Sequence, residues 1–170
     1  MVDVQKNFLD LAIEVKALLF GKFTLKSGRE SLYFFNIASF FESGRLGELA
    51  DIYSEKIIES KIKYDVIFGP AYKGIPLAAA VATILSKRLS MQIPICFDRK
   101  EEKDHGEGGA LVGSVKNKRV LIIDDVLSAG TALKNSIKLI QDAGGVISAA
   151  IIALDRQEQD EGEQISRKLV

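Results

Sequence analysis

Two adjacent carboxylates and a short hydroxyl-bearing loop give this sequence its clearest chemical signal. Asp124 and Asp125 directly follow the apolar run 120–123, and the small residues 128–132, SAGTA, come shortly afterwards. A buried strand, a tight turn and a helix direct backbone N–H groups at an anion. The acids would repel that anion unless they hold hydroxyl groups or a divalent cation, so the stretch favours a sugar phosphate with Mg²⁺. The alternative is an ordinary strand-to-helix turn with an acidic end and a threonine cap.

Cationic side chains follow three other predicted strands, and they are Lys73, Arg99 with Lys100, and Arg156. The carboxyl ends of parallel strands line one crevice, so we expect these cations to meet the two acids there. Lys73 stands at the start of a predicted helix, where a cation is unfavourable unless an anion accompanies it. The pattern therefore indicates an anion site, although the phosphate-binding motifs GxxxxGK[ST] and GxGxxG are both absent.

The segment 98–109 is almost entirely charged residues and glycine, and it contains the only histidine, His105. It cannot bury a core, so we expect a mobile surface loop. Loops of this length in a domain are often lids, and Lys103 and His105 suit a lid that closes over phosphates. A solvated connection is the alternative. His105 could also act as a general base, but no serine or cysteine stands beside it to be activated.

Composition excludes several classes of function. The chain has 170 residues, 47% hydrophobic and 27% charged, with a net charge of +0, which argues against wholesale nucleic-acid binding. No apolar run approaches the roughly 20 residues needed to span a bilayer, and residues 1–10 do not resemble a signal peptide. The single cysteine, Cys96, lies in an apolar run and fits a core position in a reducing compartment. We therefore expect a cytoplasmic protein that binds neither nucleic acid nor membranes.

Hydrophobic periodicity predicts an α/β fold with a doubly wound parallel sheet, preceded by a helix and a β-hairpin hood. The whole chain, 1–170, forms one predicted domain, in which 1–43 are the helix and hood. The predicted helices are 3–19, 44–60, 75–87 and 131–143, and the predicted sheet strands are 66–68, 93–97, 120–123 and 146–154. The hairpin strands are 20–25 and 32–38.

Three hairpin residues are candidates for the site. Lys26 stands at the turn, where a lysine is either solvated or functional. Phe34 and Phe35 should face opposite sides of their strand. One of them could form a platform for a flat ligand, but a core position for both is the simpler interpretation.

The stretch IIDDVLSAGTA resembles the 5-phosphoribosyl-1-diphosphate (PRPP) signature of the type I phosphoribosyltransferases. Residues 23–36, FTLKSGRESLYFFN, 68–78, FGPAYKGIPLA, 99–109, RKEEKDHGEGG, and 154–158, LDRQE, resemble the orotate phosphoribosyltransferases in their bacterial dimeric form. The resemblance implies transfer of the phosphoribosyl group from PRPP to orotate, giving orotidine 5′-monophosphate and pyrophosphate in pyrimidine (UMP) synthesis. It also implies Mg²⁺ as the cofactor.

The same resemblance implies roles at the matching positions. Asp124 and Asp125 would hold the ribose hydroxyls, with Mg²⁺ bridging PRPP nearby, and the turn at Tyr72 would contain a non-proline cis peptide. The residues expected to act in catalysis are Lys26, Lys103 and His105. Those expected to bind PRPP are Lys26, Tyr72, Lys73, Arg99, Lys100, Lys103, His105, Asp124, Asp125, Val126, Leu127, Ser128, Ala129, Gly130, Thr131 and Ala132. Those expected around orotate are Lys26, Phe34, Phe35, Ser128 and Arg156, with Arg156 facing the carboxylate.

The family resemblance further implies a homodimer, in which the mobile loop 99–109 reaches into the neighbouring active site. Two features depart from the family pattern. Ser128 stands where many relatives have threonine, and only 14 residues follow Arg156 where the family usually adds a strand and a helix. We therefore expect a shortened form with all site residues present. A purine phosphoribosyltransferase, an RNA-binding regulator of the same fold and an inactive remnant are the alternatives.

Overall fold

Alternating apolar runs and amphipathic segments produce an α/β fold in the computed structural model, which describes residues 3–25, 28–99, 110–128 and 130–156. The helices are Val4–Glu14 (α1), Ala38–Glu42 (α2), Leu46–Ser60 (α3), Gly74–Leu89 (α4) and Thr131–Asp142 (α5). The strands are Leu18–Thr24 (β1), Glu30–Phe35 (β2), Val66–Gly69 (β3), Ile95–Asp98 (β4), Leu111–Val112 (β5), Arg119–Leu127 (β6) and Val146–Asp155 (β7). Within these residues, no helix combines the length and hydropathy that a membrane crossing requires.

The central sheet has the strand order β5-β4-β3-β6-β7. Strands β3, β4, β6 and β7 are parallel, as the sequence pattern predicts. The edge strand β5 is antiparallel to β4 and was not predicted, because two residues are too few to show a periodicity. The prediction of a doubly wound parallel sheet is therefore confirmed for these four strands, whose carboxyl ends lie along one edge.

Both faces of the sheet are buried, which explains why its strands are continuous apolar runs. Alternate residues of β6 enter different clusters. Leu121 and Ile123 belong to the cluster on one face, which also contains buried residues of α1, α3 and α4. Val120 and Ile122 pack with Cys96 and with Ile140 of α5 on the other face. Two covered faces hold the strand ends rigidly, so residues placed there are positioned by the core.

The N-terminal hairpin is present, but its boundaries differ from the prediction. The sequence pattern extends the first helix to residue 19, whereas α1 ends at Glu14 and Lys16 has a φ of 57°. Leu18 instead lies in β1, opposite Phe35 of β2, and both side chains are buried. An apolar side chain at helical spacing is also satisfied by a strand that buries it, so periodicity alone placed the boundary wrongly.

The second hairpin strand also ends earlier than predicted, at Phe35. The Asn36 side chain accepts a hydrogen bond of 3.2 Å from the backbone N–H of Ala38. Asparagine side chains that bond backbone groups two residues on favour turns over strands. A short helix, α2, follows at Ala38 where the pattern predicts the end of the strand.

Cys96 is fully buried, as predicted, and burial raises the pKa of its thiol to about 11. We expect a thiol reagent at pH 8 to leave the folded protein unmodified and to react rapidly after addition of denaturant, because only the exposed thiolate reacts. Absorbance with an aromatic disulfide reagent measures this reaction. Full modification of the native protein within minutes would contradict this placement of the thiol.

Candidate active site

The acid pair lies inside a strand, which corrects the prediction that it follows one. β6 continues to Leu127 because its backbone remains paired with β7, where Val126 lies opposite Leu154. Backbone pairing determines strand membership, so an acidic side chain does not end a strand whose ladder is intact. Asp124 is only 9% exposed, and the Asp125 side chain is 15% exposed. Both carboxylates therefore stand on a rigid element.

Backbone hydrogen bonds of ordinary length orient both acids. The Asp124 Oδ1 atom accepts a bond of 2.9 Å from the backbone N–H of Asp125. Asp125 Oδ1 accepts one of 2.9 Å from the N–H of Val126. The hydroxyl of Tyr53, on α3, donates a bond of 2.8 Å to the backbone carbonyl of Asp124. Each carboxylate keeps a second oxygen for another partner.

Burial raises the pKa of the Asp124 carboxyl to about 7. The bond from the Asp125 N–H opposes this increase, and the negative charge of Asp125 adds to it. Burial disfavours the charged form of a carboxyl group, and hydrogen bonds from hydroxyl groups or a nearby cation stabilise that form. The electrostatics of the pair therefore suit a polyhydroxylated ligand.

A cavity of about 220 Å³ opens where β6 leads into α5. This volume is below the roughly 300–1,000 Å³ of pockets that take a whole drug-sized ligand, so the cavity fits part of a substrate. The lining residues are Asp124, Val126, Leu127, Ser128, Gly130, Thr131, Ala132, Leu133 and Ile152. Gly130, which precedes α5, has a φ of 90°, a conformation that glycine adopts without strain. Backbone N–H groups at the start of α5 provide the favourable site for a phosphate.

The turn between β3 and α4 places a cation at the same edge. Lys73 lies 3.7 Å from a carboxylate oxygen of Asp125, measured from Nζ to Oδ2. The Asp98 side chain, at the end of β4, accepts a bond of 2.6 Å from the backbone N–H of Ala71. The peptide bond between Ala71 and Tyr72 is cis, as the family resemblance implies. The turn is thus attached to the ends of two neighbouring strands.

Arg156 follows β7 and completes this edge. Its backbone N–H donates a bond of 2.8 Å to the carbonyl of Leu127 at the end of β6. Its guanidinium carbon lies 5.8 Å from the ring centroid of Tyr33 on β2. The contact is within cation–π range and joins the hairpin hood to the end of the sheet.

The two phenylalanines of β2 differ in environment. Phe35 is 4% exposed and belongs to the core, whereas Phe34 is 38% exposed and contacts Phe23 at 5.6 Å between ring centroids. The interpretation that both are core residues is therefore wrong for Phe34, because successive side chains of an edge hairpin point to opposite faces.

The other predicted site residues fall into two groups. Tyr72 is 65% exposed, and Arg99 is half-buried with its backbone N–H bonded to the Ala110 carbonyl at 2.8 Å. The remaining residues lie outside the described part of the chain, and they are Lys26, Lys100, Lys103, His105 and Ala129.

Three contacts at the site involve residues that sequence reasoning did not assign. Asp98 anchors the turn through Ala71, Tyr33 supports Arg156, and Tyr53 contacts the acid pair. Only Tyr53 carries a signal in the sequence, since a tyrosine on a buried apolar helix face needs a hydrogen-bond partner. The other two contacts depend on tertiary structure alone.

A family match names the class of protein that this fold and site define. The family model described as "Phosphoribosyl transferase domain" matches residues 38–168, which include the acid pair and its loop. The same fold is found in the solved structure of an adenine phosphoribosyltransferase from Saccharomyces cerevisiae, with a TM-score of 0.63 over 86% of this chain and 89% of that one. At 19% identity, that likeness concerns the fold alone.

Two relatives indicate which kind of phosphoribosyltransferase the chain resembles. The orotate phosphoribosyltransferase of Shigella flexneri is 49% identical over 164 residues, which cover 96% of this chain and 76% of that protein. The crystal structure of the orotate phosphoribosyltransferase from Francisella tularensis is 44% identical, with a TM-score of 0.79 over 94% of this chain and 76% of that one. The chain therefore belongs to the orotate phosphoribosyltransferases.

Proposed function

We propose that this chain transfers the 5-phosphoribosyl group of PRPP to orotate, giving orotidine 5′-monophosphate and pyrophosphate in pyrimidine synthesis. The observation that carries the proposal is the acid pair of β6, of which Asp124 lines the cavity at the start of α5, in a chain that is 49% identical to an orotate phosphoribosyltransferase. The loop 128–132 and the start of α5 would hold the 5′-phosphate. Asp124 and Asp125 would accept hydrogen bonds from the ribose hydroxyls.

The site fits a magnesium ion that is held mainly through the substrate. The part of the chain that the structure describes has no group of three or more acidic, histidine or cysteine side chains that could hold a metal by itself. Mg²⁺ usually binds one or two carboxylates together with substrate phosphates and water. Asp124 and Asp125 are the candidates for those carboxylates. When bound, the ion would neutralise charge on the diphosphate.

The cations at this edge have a role in the bond that breaks. Orotate N1 would attack C1 of the ribose as the bond from C1 to the diphosphate oxygen breaks, so negative charge accumulates on the departing pyrophosphate. We propose that Lys73, Tyr72 and Arg99 bind that group. Charge that increases during the reaction is stabilised more strongly in the transition state than in the bound substrate. The further residues assigned to it are Lys100, Lys103 and His105, and Lys26 is assigned to both PRPP and orotate.

Orotate would lie between the hood and the end of β7. Arg156 offers a planar pair of donors for a carboxylate. The other residues proposed around the base are Lys26, Phe34, Phe35 and Ser128. Phe35 is buried and contacts Phe8, so its contribution would be to hold β2 in place rather than to touch the base.

The proposal includes an assembly and a location. It treats 1–170 as one domain with 1–43 as its helix and hood, in a cytoplasmic homodimer whose loops 99–109 close over each other's sites. Such closure would exclude water, which otherwise hydrolyses PRPP.

One assay tests the reaction. The protein is mixed with PRPP, Mg²⁺ and orotate, and both orotate consumption and pyrophosphate release are followed. Matched reactions contain adenine or hypoxanthine in place of orotate. Turnover with orotate alone supports the proposal, and turnover with a purine in its place would overturn it. Absence of turnover with every base would support the inactive remnant.

Tyr33→Leu should raise the KM for orotate about fivefold and leave the KM for PRPP within twofold, because a half-buried cation–π contact contributes about 1 kcal/mol. The ring that supports Arg156 is lost, whereas the acid pair is untouched. Steady-state kinetics with each substrate varied in turn measure the two KM values separately. Tyr33→Phe keeps the ring and serves as the control. Equal KM values for orotate in Tyr33→Leu and the unsubstituted enzyme would remove Tyr33 from orotate binding.

A further inference from the structure

Tyr53 is a buried hydroxyl for which the proposed mechanism has no use. It lies on the face of α3 that packs on the sheet, between Leu49 and Ile57, and is 3% exposed. A phenylalanine would fill the same space without the cost of burying a hydroxyl. Packing therefore does not explain the hydroxyl, and its contacts indicate its role.

Its contacts lie at the peptide group between the two acids. The hydroxyl donates a bond of 2.8 Å to the carbonyl of Asp124, and the N–H of the same peptide group donates a bond of 2.9 Å to Asp124 Oδ1. The peptide plane is therefore held at both of its polar ends. Rotation of that plane would move the N–H, and with it the Asp124 carboxylate.

The same hydroxyl lies close to β7, because Asp124, whose carbonyl it contacts, pairs with Ile152 of that strand. The nearby backbone N–H of Ala153 lowers the pKa of the hydroxyl, an effect that burial outweighs. Burial raises the pKa of Tyr53 well above its ordinary value, so the hydroxyl stays protonated and remains a donor.

We propose that Tyr53 is a positioning residue for the acid pair, which fixes the peptide plane between Asp124 and Asp125 so that both carboxylates face the ribose hydroxyls of PRPP. The inference rests on the proposed binding of PRPP at these acids. It adds a residue 71 positions away along the chain that does not touch the substrate. Hydrogen-bond chains strengthen their members, so donation to the carbonyl also makes the Asp125 N–H a better donor to the Asp124 carboxylate.

The test is Tyr53→Phe, which retains the ring in the core and removes the hydroxyl. We expect the dissociation constant for PRPP with Mg²⁺, measured by titration calorimetry, to increase about tenfold. The KM for PRPP should increase by the same factor, with the kcat within threefold and the KM for orotate within twofold. Binding lost equally from the ground and transition states raises KM and leaves kcat unchanged.

Two controls separate positioning from a loss of stability. Ile57→Val removes a methylene-sized volume one turn along the same helix face, and Tyr64→Phe removes a half-buried hydroxyl away from the site. Both should leave the PRPP dissociation constant within twofold. If Ile57→Val also loses tenfold in PRPP affinity, Tyr53 has only a structural role and the inference is overturned. Unchanged PRPP binding by Tyr53→Phe would also overturn it.

A failure of the proposed function is distinguishable from a failure of the Tyr53 inference. If the proposed function fails, the unsubstituted protein binds no PRPP, and both proposals are overturned. If Tyr53→Phe does not fold, hydrogen exchange of the Asp125 amide in the unsubstituted protein decides. We expect this amide to exchange at least about 100-fold more slowly than an unstructured one. Exchange at the unstructured rate would show that the peptide plane is not held, and would overturn the inference.

Discussion

Asp124→Asn should stabilise the protein above pH 7 and at the same time remove most of its affinity for PRPP. Burial raises the pKa of Asp124 to about 7 in the folded state, against an ordinary value of 3.8. Between these two values the unfolded chain has released the proton and the folded chain retains it, so a rise in pH favours unfolding. Above pH 7 Asp124 is ionised in both the folded and the unfolded state, so the destabilisation caused by its burial no longer changes with pH. Asparagine carries no such charge and can still accept the Asp125 N–H.

The stabilisation should be absent at pH 4 and complete above pH 7. We expect about 2 kcal/mol, or a rise in Tm of about 6 °C, measured by thermal unfolding at a series of pH values. Activity should change in the opposite direction, with the kcat/KM for PRPP falling about 100-fold, because hydrogen bonds to a charged acceptor contribute roughly 1.5–3 kcal/mol each. Asp142→Asn, at an exposed ion pair with Lys138, is the control and should change neither quantity. A lower Tm for Asp124→Asn at pH 8 would contradict the assignment.

Gly69→Ala should be the most destabilising single-methyl substitution at the site. A Cβ at this position would meet the carbonyl oxygen of Gly74 and lie 2.7 Å from the Cβ of Ala78. The obstruction is backbone, which cannot rotate away, so β3 and α4 would have to separate. We expect a loss of about 3 kcal/mol or more and a fall in Tm of about 10 °C. Since that movement displaces Lys73, the kcat/KM for PRPP should fall at least about tenfold.

Gly47→Ala is the matched control for this substitution. Gly47 lies near the start of α3, and a Cβ there would have no atom within 4 Å. Alanine is the better helix former, so this variant should gain up to about 1 kcal/mol with unchanged kinetics. Differential scanning calorimetry of the two variants measures the contrast. Equal Tm values for both would contradict the close contact between β3 and α4.

The parts of the fold predicted from the sequence are those in which side-chain pattern and backbone structure coincide. The runs 66–68 and 120–123 are buried on both faces, so they read as apolar strands. The extension of β6 through Asp124 and Asp125 was not predictable in this way, because it depends on pairing with β7. The predicted end of the first helix was wrong at Leu18 for a related reason, because an apolar residue is compatible with both a helix and a strand.

The same distinction applies to the site. Lys73, Asp125 and Arg156 were assigned to one edge because the carboxyl ends of parallel strands converge by topology. The contact of Tyr53 with Asp124 joins residues on α3 and β6. The local pattern indicates only that the buried hydroxyl needs a partner, and it does not identify Asp124 as that partner. The sequence therefore predicts groups that strand ends bring together, whereas groups that meet through packing of separate elements require the structure.

The ion pair between Lys73 and Asp125 has a consequence for how the site fills. Before the substrate arrives, Lys73 acts as the counter-ion of Asp125, at 3.7 Å. Binding of a diphosphate then exchanges one anionic partner of the lysine for another, and the carboxylate receives hydroxyl groups in return. Salt screens the attraction that is lost as well as the one that is gained. We therefore expect the affinity for PRPP to depend less on ionic strength than the number of cations at this edge would suggest.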